Sequence, residues 1–172
     1  MSSLREEGNV ILIGMPGVGK STVGVLLAKA LSRDFLDTDV LIQSRQARRL
    51  QEIIDSDGLA AFCRIEEDCV LSLVVGHYVT ATGGSVVYSR RAMEHLRQNG
   101  VVVHLYLPLP LLEERLSDLD ARGVVMDSSQ SLDALFAERD PLCRRWADFV
   151  VDCAGLTHEE VVDAIVVILS KE

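Results

Sequence analysis

Two short runs of this 172-residue chain carry residue types that chemistry needs at fixed spacing. The first is Gly14-Met-Pro-Gly-Val-Gly-Lys-Ser21, which fits G-x-x-x-x-G-K-[S/T]. In such a run glycines let backbone N–H groups wrap phosphates, the lysine bridges the β- and γ-phosphates, and the hydroxyl can ligate Mg2+. The expected nucleotide contacts are therefore Gly14, Met15, Pro16, Gly17, Val18, Gly19, Lys20, Ser21 and Thr22, with ATP as the nucleotide. The second run is Asp37-Thr-Asp39. On a strand, alternate residues point to one side, so both carboxylates would share a rim. One can orient a metal's water shell while the other accepts the proton of an attacking hydroxyl. Taken alone, either run also has a plain reading, as a glycine-rich turn or a pair of solvated aspartates.

The surrounding elements decide between these readings. Asn9 to Ile13 is a short apolar run that reads as a buried strand ending at Gly14. Val23, Leu26, Leu27, Ala30 and Leu31 give the following helix its apolar face. A strand over Phe35–Asp39 comes next, then a helix over Val40–Asp55 interrupted at Gly58, and another marked by Phe62, Ile65, Cys69 and Leu73. Tyr78–Ala81 reads as a strand entering Thr82-Gly-Gly84. Arg90–Asn99 reads as a helix, with Gly100 as its left-handed stop. Val101–Leu107 is the clearest strand, and Leu111–Leu116 opens a helix. Asp118–Ser131 is polar and aperiodic, so a mobile lid is expected at about 117–131. A helix over Leu132–Trp146, a strand at Phe149–Val151 and a helix opened by a Thr157/Glu160 capping box complete the pattern. Strands alternating with helices, several apolar on both faces, predict an α/β three-layer sandwich with a five-stranded parallel sheet, one domain spanning 1–172. Ligands of such sheets sit at the carboxyl ends of the strands, which gathers Gly14, Asp37, Asp39 and Thr82–Ser85 on one rim.

Composition narrows the function. The formal charge is −9, from 17 Lys plus Arg against 26 Asp plus Glu, which opposes nucleic-acid binding. Only three cations are lysines, Lys20, Lys29 and Lys171, and neither of the last two fits the Asn/Thr-Lys-x-Asp segment of guanine switches. The run nearest to a motor ATPase's Asp-Glu ending is Phe149-Val-Val-Asp152, which continues into Cys153. A small phosphotransferase is the class that remains. No apolar run is long enough to span a bilayer, and the first eight residues lack a secretory core, so a cytoplasmic protein is expected. The four cysteines show no C-x-x-C pair and read as reduced, mostly core thiols. His77, His95, His104 and His158 form no metal set, and His104 reads as a hydrogen-bonded core histidine.

Five segments in order resemble the shikimate kinase family across Asn9–Leu169. They are the phosphate loop, Phe35-Leu-Asp-Thr-Asp39, Phe62-Cys-Arg-Ile-Glu-Glu67, Thr82-Gly-Gly-Ser-Val86 and Glu138-Arg-Asp-Pro-Leu142. The resemblance implies the fold of the nucleoside monophosphate kinases, with sheet order 2-3-1-4-5, and a monomer. It implies Asp37 near Mg2+ and Asp39 on the acceptor's hydroxyls. It further implies Gly83 and Gly84 beside the acceptor, Arg139 on its carboxylate near the start of the fifth strand, Arg115 on adenine and Arg122 closing from the lid. The substrate class is then a small hydroxy carboxylic acid.

Two positions depart from the family pattern. Cys63 stands where that pattern has an arginine sharing the substrate carboxylate, and Ser85 stands where it has a third glycine. Arg122 is also followed by Gly123 rather than proline. A missing charge-assisted hydrogen bond costs about 1.5–3 kcal/mol. Three readings follow: a shikimate kinase holding its acid through Arg139 and Arg64; a pocket retuned for another small alcohol such as homoserine; or a nucleotide-binding regulatory module without transferase activity.

Overall fold

The computed structural model describes residues 8–120 and 131–171. Strands β1 (Asn9–Ile13), β2 (Asp34–Asp37), β3 (Tyr78–Ala81), β4 (Gly100–Tyr106) and β5 (Phe149–Asp152) form one sheet in the order β2-β3-β1-β4-β5. Every neighbouring pair is parallel. All five β1 residues are buried because this central strand is covered on both faces. Strand alternation sends Val10 and Leu12 into a core closed by α1 (Lys20–Leu31) and α8 (His158–Ser170). Ile11 and Ile13 enter the opposite core, closed by α5 (Arg90–Gln98), Val86 and Val87 of a short 3-10 turn, and Cys143 of α7 (Leu132–Trp146).

A third, smaller core lies beneath α2 (Thr38–Gln46), α3 (Leu50–Asp57) and α4 (Leu59–Leu71) and contains Ile42, Ile53, Phe62 and Cys69. This core explains a correction. The expected single helix over Val40–Asp55 is two helices, broken where Ala47 adopts φ 50°. The break folds α3 back so that Ile42 and Ile53 meet in one cluster, and Arg48 then reaches Asp57 at 2.8 Å. Local propensity loses here to burial of two isoleucines.

Other expectations also shift. Gly100 is not a left-handed helix stop but opens β4, where a Cβ would press on the Asn9 carbonyl of the neighbouring strand. The chain needs glycine there for close backbone approach, not for φ. The last helix starts at the expected capping box, with Glu160 N donating to Thr157 Oγ1 at 3.2 Å and Thr157 N to Glu160 Oε2 at 2.8 Å. α6 (Leu109–Asp120) continues through residues 118–120, the start of the expected loop, while residues 121–130 of the expected lid lie outside the described residues. His104 is buried, but its Nδ1 has no hydrogen-bond partner among the described residues and its Nε2 lies 3.8 Å from Asp140. Burial therefore pushes its pKa down to about 4 and keeps the ring neutral. Cys69, Cys143 and Cys153 are buried free thiols, as expected, and Cys63 is half-buried. Among the described residues no helix is long and apolar enough to cross a membrane.

Candidate active site

The phosphate loop leaves β1 at Ile13 and turns into α1 through three glycines at positive φ, Gly14 (146°), Gly17 (79°) and Gly19 (102°). Gly14 has a second reason to lack a side chain, since a Cβ would sit 2.5 Å from the Leu105 carbonyl oxygen. Met15 and Val18 are buried and anchor the loop from below. α1 has neither an acidic residue in its first turn nor a side-chain cap, so its N-terminal N–H groups and dipole remain open to an anion. Thr22 is exposed in that first turn.

Lys20 Nζ donates to the carbonyls of Gly14 (2.9 Å) and Met15 (3.0 Å), which pins the ammonium over the loop. Burial pushes its pKa down, and the carboxylates of Asp39 and Asp37 push it back up. Ser21 Oγ donates to Asp37 Oδ2 at 2.6 Å. This hydroxyl–carboxylate pair is a hard oxygen set at the mouth of the loop. Among the described residues no group of three or more His, Cys, Asp or Glu can cage a metal unaided. Both facts suit Mg2+, which takes one or two protein oxygens and fills its shell with phosphate and water.

Asp37 and Asp39 meet the rim by a different route from the expected one. β2 ends at Asp37, and Asp39 lies in the first turn of α2. Asp37 caps that helix, its Oδ1 accepting from Asp39 N (2.9 Å) and Val40 N (3.2 Å). The fully buried Thr38 between them accepts from Gly83 N at 3.0 Å, tying α2 to the end of β3. Asp39 Oδ1 is buried without a partner among the described residues. Burial raises its pKa, Lys20 opposes the rise and Asp37 adds to it.

The acceptor side is built around Gly83 and Gly84. A Cβ on Gly83 would strike Glu66 Oε1 and come within 2.7 Å of Asp39 Oδ1. A Cβ on Gly84 would meet Arg139 Nη1 at 2.7 Å and Pro16 Cδ of the phosphate loop at 3.5 Å. Carboxylates, a guanidinium and the phosphate loop thus converge on two adjacent glycines. Arg139 lies within α7, ten residues before β5 begins, rather than at the strand itself. Its Nε donates to the Tyr88 hydroxyl at 3.2 Å, and the guanidinium stacks 5.3 Å from that ring's centre. Cys63 is on α4, its thiol pKa raised first by burial and then by Glu66, with Arg139 opposing. Arg64 is exposed beside it. Arg115 of α6 donates from Nη1 to the Val18 carbonyl at 3.2 Å, so it does reach the nucleotide loop. Arg122 lies outside the described residues.

Glu66 is a further residue of the site, beyond those expected from the sequence. It is 2% exposed, and its Oε2 accepts from Ser85 Oγ at 2.5 Å. A signal was present, because Phe62, Glu66, Cys69 and Val70 form the buried stripe of α4 and only one of them is charged. Burial raises the Glu66 pKa from an ordinary 4.5 to about 7, and Asp39 adds to the rise, while Ser85, Arg139 and Lys20 hold it down. An acid whose folded pKa is raised loses stability as pH climbs from the unfolded to the folded value. Between pH 4.5 and 7 this costs the fold about 3 kcal/mol. Glu66→Gln is therefore expected to raise the unfolding temperature more at pH 8 than at pH 5. An equal change at both values would contradict the shift.

A glycine-rich phosphate loop closing the central strand of a 2-3-1-4-5 parallel sheet, opposite a carboxylate and an arginine, defines a P-loop kinase of small molecules. The chain belongs to the shikimate kinase family, whose model, described as "Shikimate kinase", matches residues 16–170. It is 42% identical over 161 residues to the shikimate kinase of Mycobacterium avium, covering 91% of this chain and 90% of that protein. It is 34% identical to shikimate kinase 2 of Enterobacter sp., covering 93% and 94%. The solved shikimate kinase of Acinetobacter baumannii in complex with shikimate superposes with a TM-score of 0.87 at 31% identity, covering 96% of this chain and 94% of the other. The protein is accordingly an ATP-dependent kinase.

Proposed function

We propose that this kinase transfers the γ-phosphoryl group of ATP to a hydroxyl of shikimate. The observation that carries the reading is the unpartnered Oδ1 of Asp39 beside Gly83, with Arg139 behind the next residue. An acceptor anchored by its carboxylate at Arg139 would present a hydroxyl toward Asp39, which takes its proton as the oxygen attacks phosphorus. Lys20 and the N-terminal N–H groups of α1 hold the phosphates and stabilise charge on the transferring group. Ser21 and Asp37 would hold Mg2+, which supplies charge neutralisation at the β- and γ-phosphates when it is bound. Arg115 braces the loop from the nucleotide side, and Arg122 is assigned to a lid over ATP. The pocket wall of Cys63, Gly83 and Gly84 faces the acceptor. On the same reading the enzyme is a single-domain, cytoplasmic monomer whose partners are small molecules. Its charge of −9 is unsuited to nucleic acid or anionic membranes.

Steady-state turnover of ATP with shikimate and with homoserine, side by side, tests the acceptor. Saturable activity at micromolar to millimolar shikimate, and none with homoserine, is the expected result. The reverse would assign the Cys63 pocket to an amino-acid alcohol, and ATP binding without either turnover would leave only a nucleotide-binding module.

A further inference from the structure

Tyr88 takes no part in the transfer just described, yet its side chain meets the arginine assigned to the acceptor. It closes the short 3-10 turn Val86–Tyr88 and is 40% exposed. Val86 and Val87 seat that turn in the core shared with Met93 of α5 and Cys143 of α7. Tyr88 N donates to the Ser85 carbonyl at 3.0 Å. Trp146, at the far end of α7, donates to the Val87 carbonyl at 3.3 Å, so the turn and the helix are joined at two points. The ring therefore has a fixed seat. α7 needs this support where Arg139 sits. Pro141 stands inside the helix and has no N–H for the Ala137 carbonyl, which leaves this turn of backbone one hydrogen bond short.

Arg139 reaches Tyr88 twice, through the Nε hydrogen bond of 3.2 Å and through the stacking at 5.3 Å. Burial raises the phenol's pKa above its ordinary 10.0 while Arg139 opposes the rise, so the oxygen accepts as a neutral hydroxyl. A guanidinium offers a carboxylate two kinds of fork, one from Nε with a neighbouring Nη and one from the two Nη atoms. With Nε taken, the second fork remains, and its Nη1 is the atom that a Cβ on Gly84 would meet at 2.7 Å. We infer that Tyr88 is a positioning residue of the acceptor site, which occupies one edge of Arg139 and commits its Nη1/Nη2 end to the acceptor's carboxylate. The hydroxyl sets the rotation of the guanidinium, and the ring face limits its swing. Cys63 stands where the family pattern has a second arginine, so the aim of Arg139 counts for more in this chain.

The inference rests on the acceptor assignment above, and one set of measurements separates the two. KM and kcat for shikimate are read at saturating ATP for the parent, Tyr88→Phe, Tyr88→Ala and Arg139→Ala. The inhibition constant of shikimate methyl ester, which lacks the anion, is read against shikimate for the parent and both Tyr88 variants. Tyr88→Phe loses the acceptor for Nε and should raise KM about fivefold with kcat nearly unchanged. Tyr88→Ala also loses the stacking and should raise KM about 25-fold. The ester should bind the parent and both variants within about twofold, because Tyr88 acts only on the grip of the carboxylate. Tyr88→Phe keeps the ring and supplies a reading even where the alanine variant folds poorly. A parent-like KM in either Tyr88 variant, a loss confined to kcat, or an equal loss on acid and ester would overturn the inference while Arg139→Ala still weakens shikimate. A parent-like KM in Arg139→Ala, or no shikimate turnover in the parent, would overturn the acceptor assignment and this inference together.

Discussion

Replacing Lys20 by Met is expected to lower turnover at least about 10³-fold while leaving the unfolding transition close to that of the parent. The ammonium is fixed over the loop by the Gly14 and Met15 carbonyls, so it meets incoming phosphate without reorganising. Catalytic charge held ready in this way is worth more than the same charge on a mobile side chain. Asp39 and Asp37 favour the charged form against burial, which keeps the group useful in a partly dry site. Methionine fills the channel of the lysine stem but has no donor and no charge. Turnover and calorimetric unfolding of the two proteins make the comparison, and parent-like turnover in the variant would refute the role given to Lys20.

Asp39→Asn carries the second large effect. The substitution keeps shape and removes the proton acceptor, so kcat should fall by about 10³-fold with a smaller change in KM for shikimate. Stability should be unchanged or higher. Burial raises the Asp39 pKa, which means that ionising this group costs the fold, and the amide removes that cost. Loss of activity without loss of stability separates a catalytic carboxylate from a structural one. A kcat within about tenfold of the parent would place the base elsewhere.

How each residue reaches the rim explains what the sequence could and could not reveal. The phosphate loop was fully legible because its function depends on backbone shape, and glycine spacing records backbone shape. The final capping box is legible in the same way from a local pattern, whereas the sheet order is implied by the family resemblance alone. Asp39 reaches the rim by a route that strand alternation does not describe. Asp37 ends the strand and caps a helix that carries Asp39, so the two carboxylates are not alternate residues of one strand. The break at Ala47 left no local mark, because it arises from two distant isoleucines sharing one small core. Cys63 and Ser85 are visible in the sequence as departures, but the contact of Ser85 with Glu66 is not. The hydroxyl of Ser85 and the carboxylate of Glu66 lie 19 positions apart, and only the folded chain brings them to 2.5 Å.

The Asp37 cap has one more consequence. Through Ser21 on one oxygen and the start of α2 on the other, this aspartate binds the phosphate loop and Asp39 into a single rigid unit. The wall bearing Cys63 and Glu66 belongs to α4, which shares a small core with Ile42 of α2, the helix carrying Asp39, and sends Val70 into the core beneath Ile11 and Ile13 of the sheet. The molecule is therefore not modular in the engineer's sense, since the tool and the jig are bolted to the same chassis. Substitutions at Ile42 or Phe62 would move Asp39 and the acceptor wall together, whereas a change at the half-buried Cys63 leaves that shared core in place. This makes Cys63 a natural starting position for directed evolution toward new phosphorylated products.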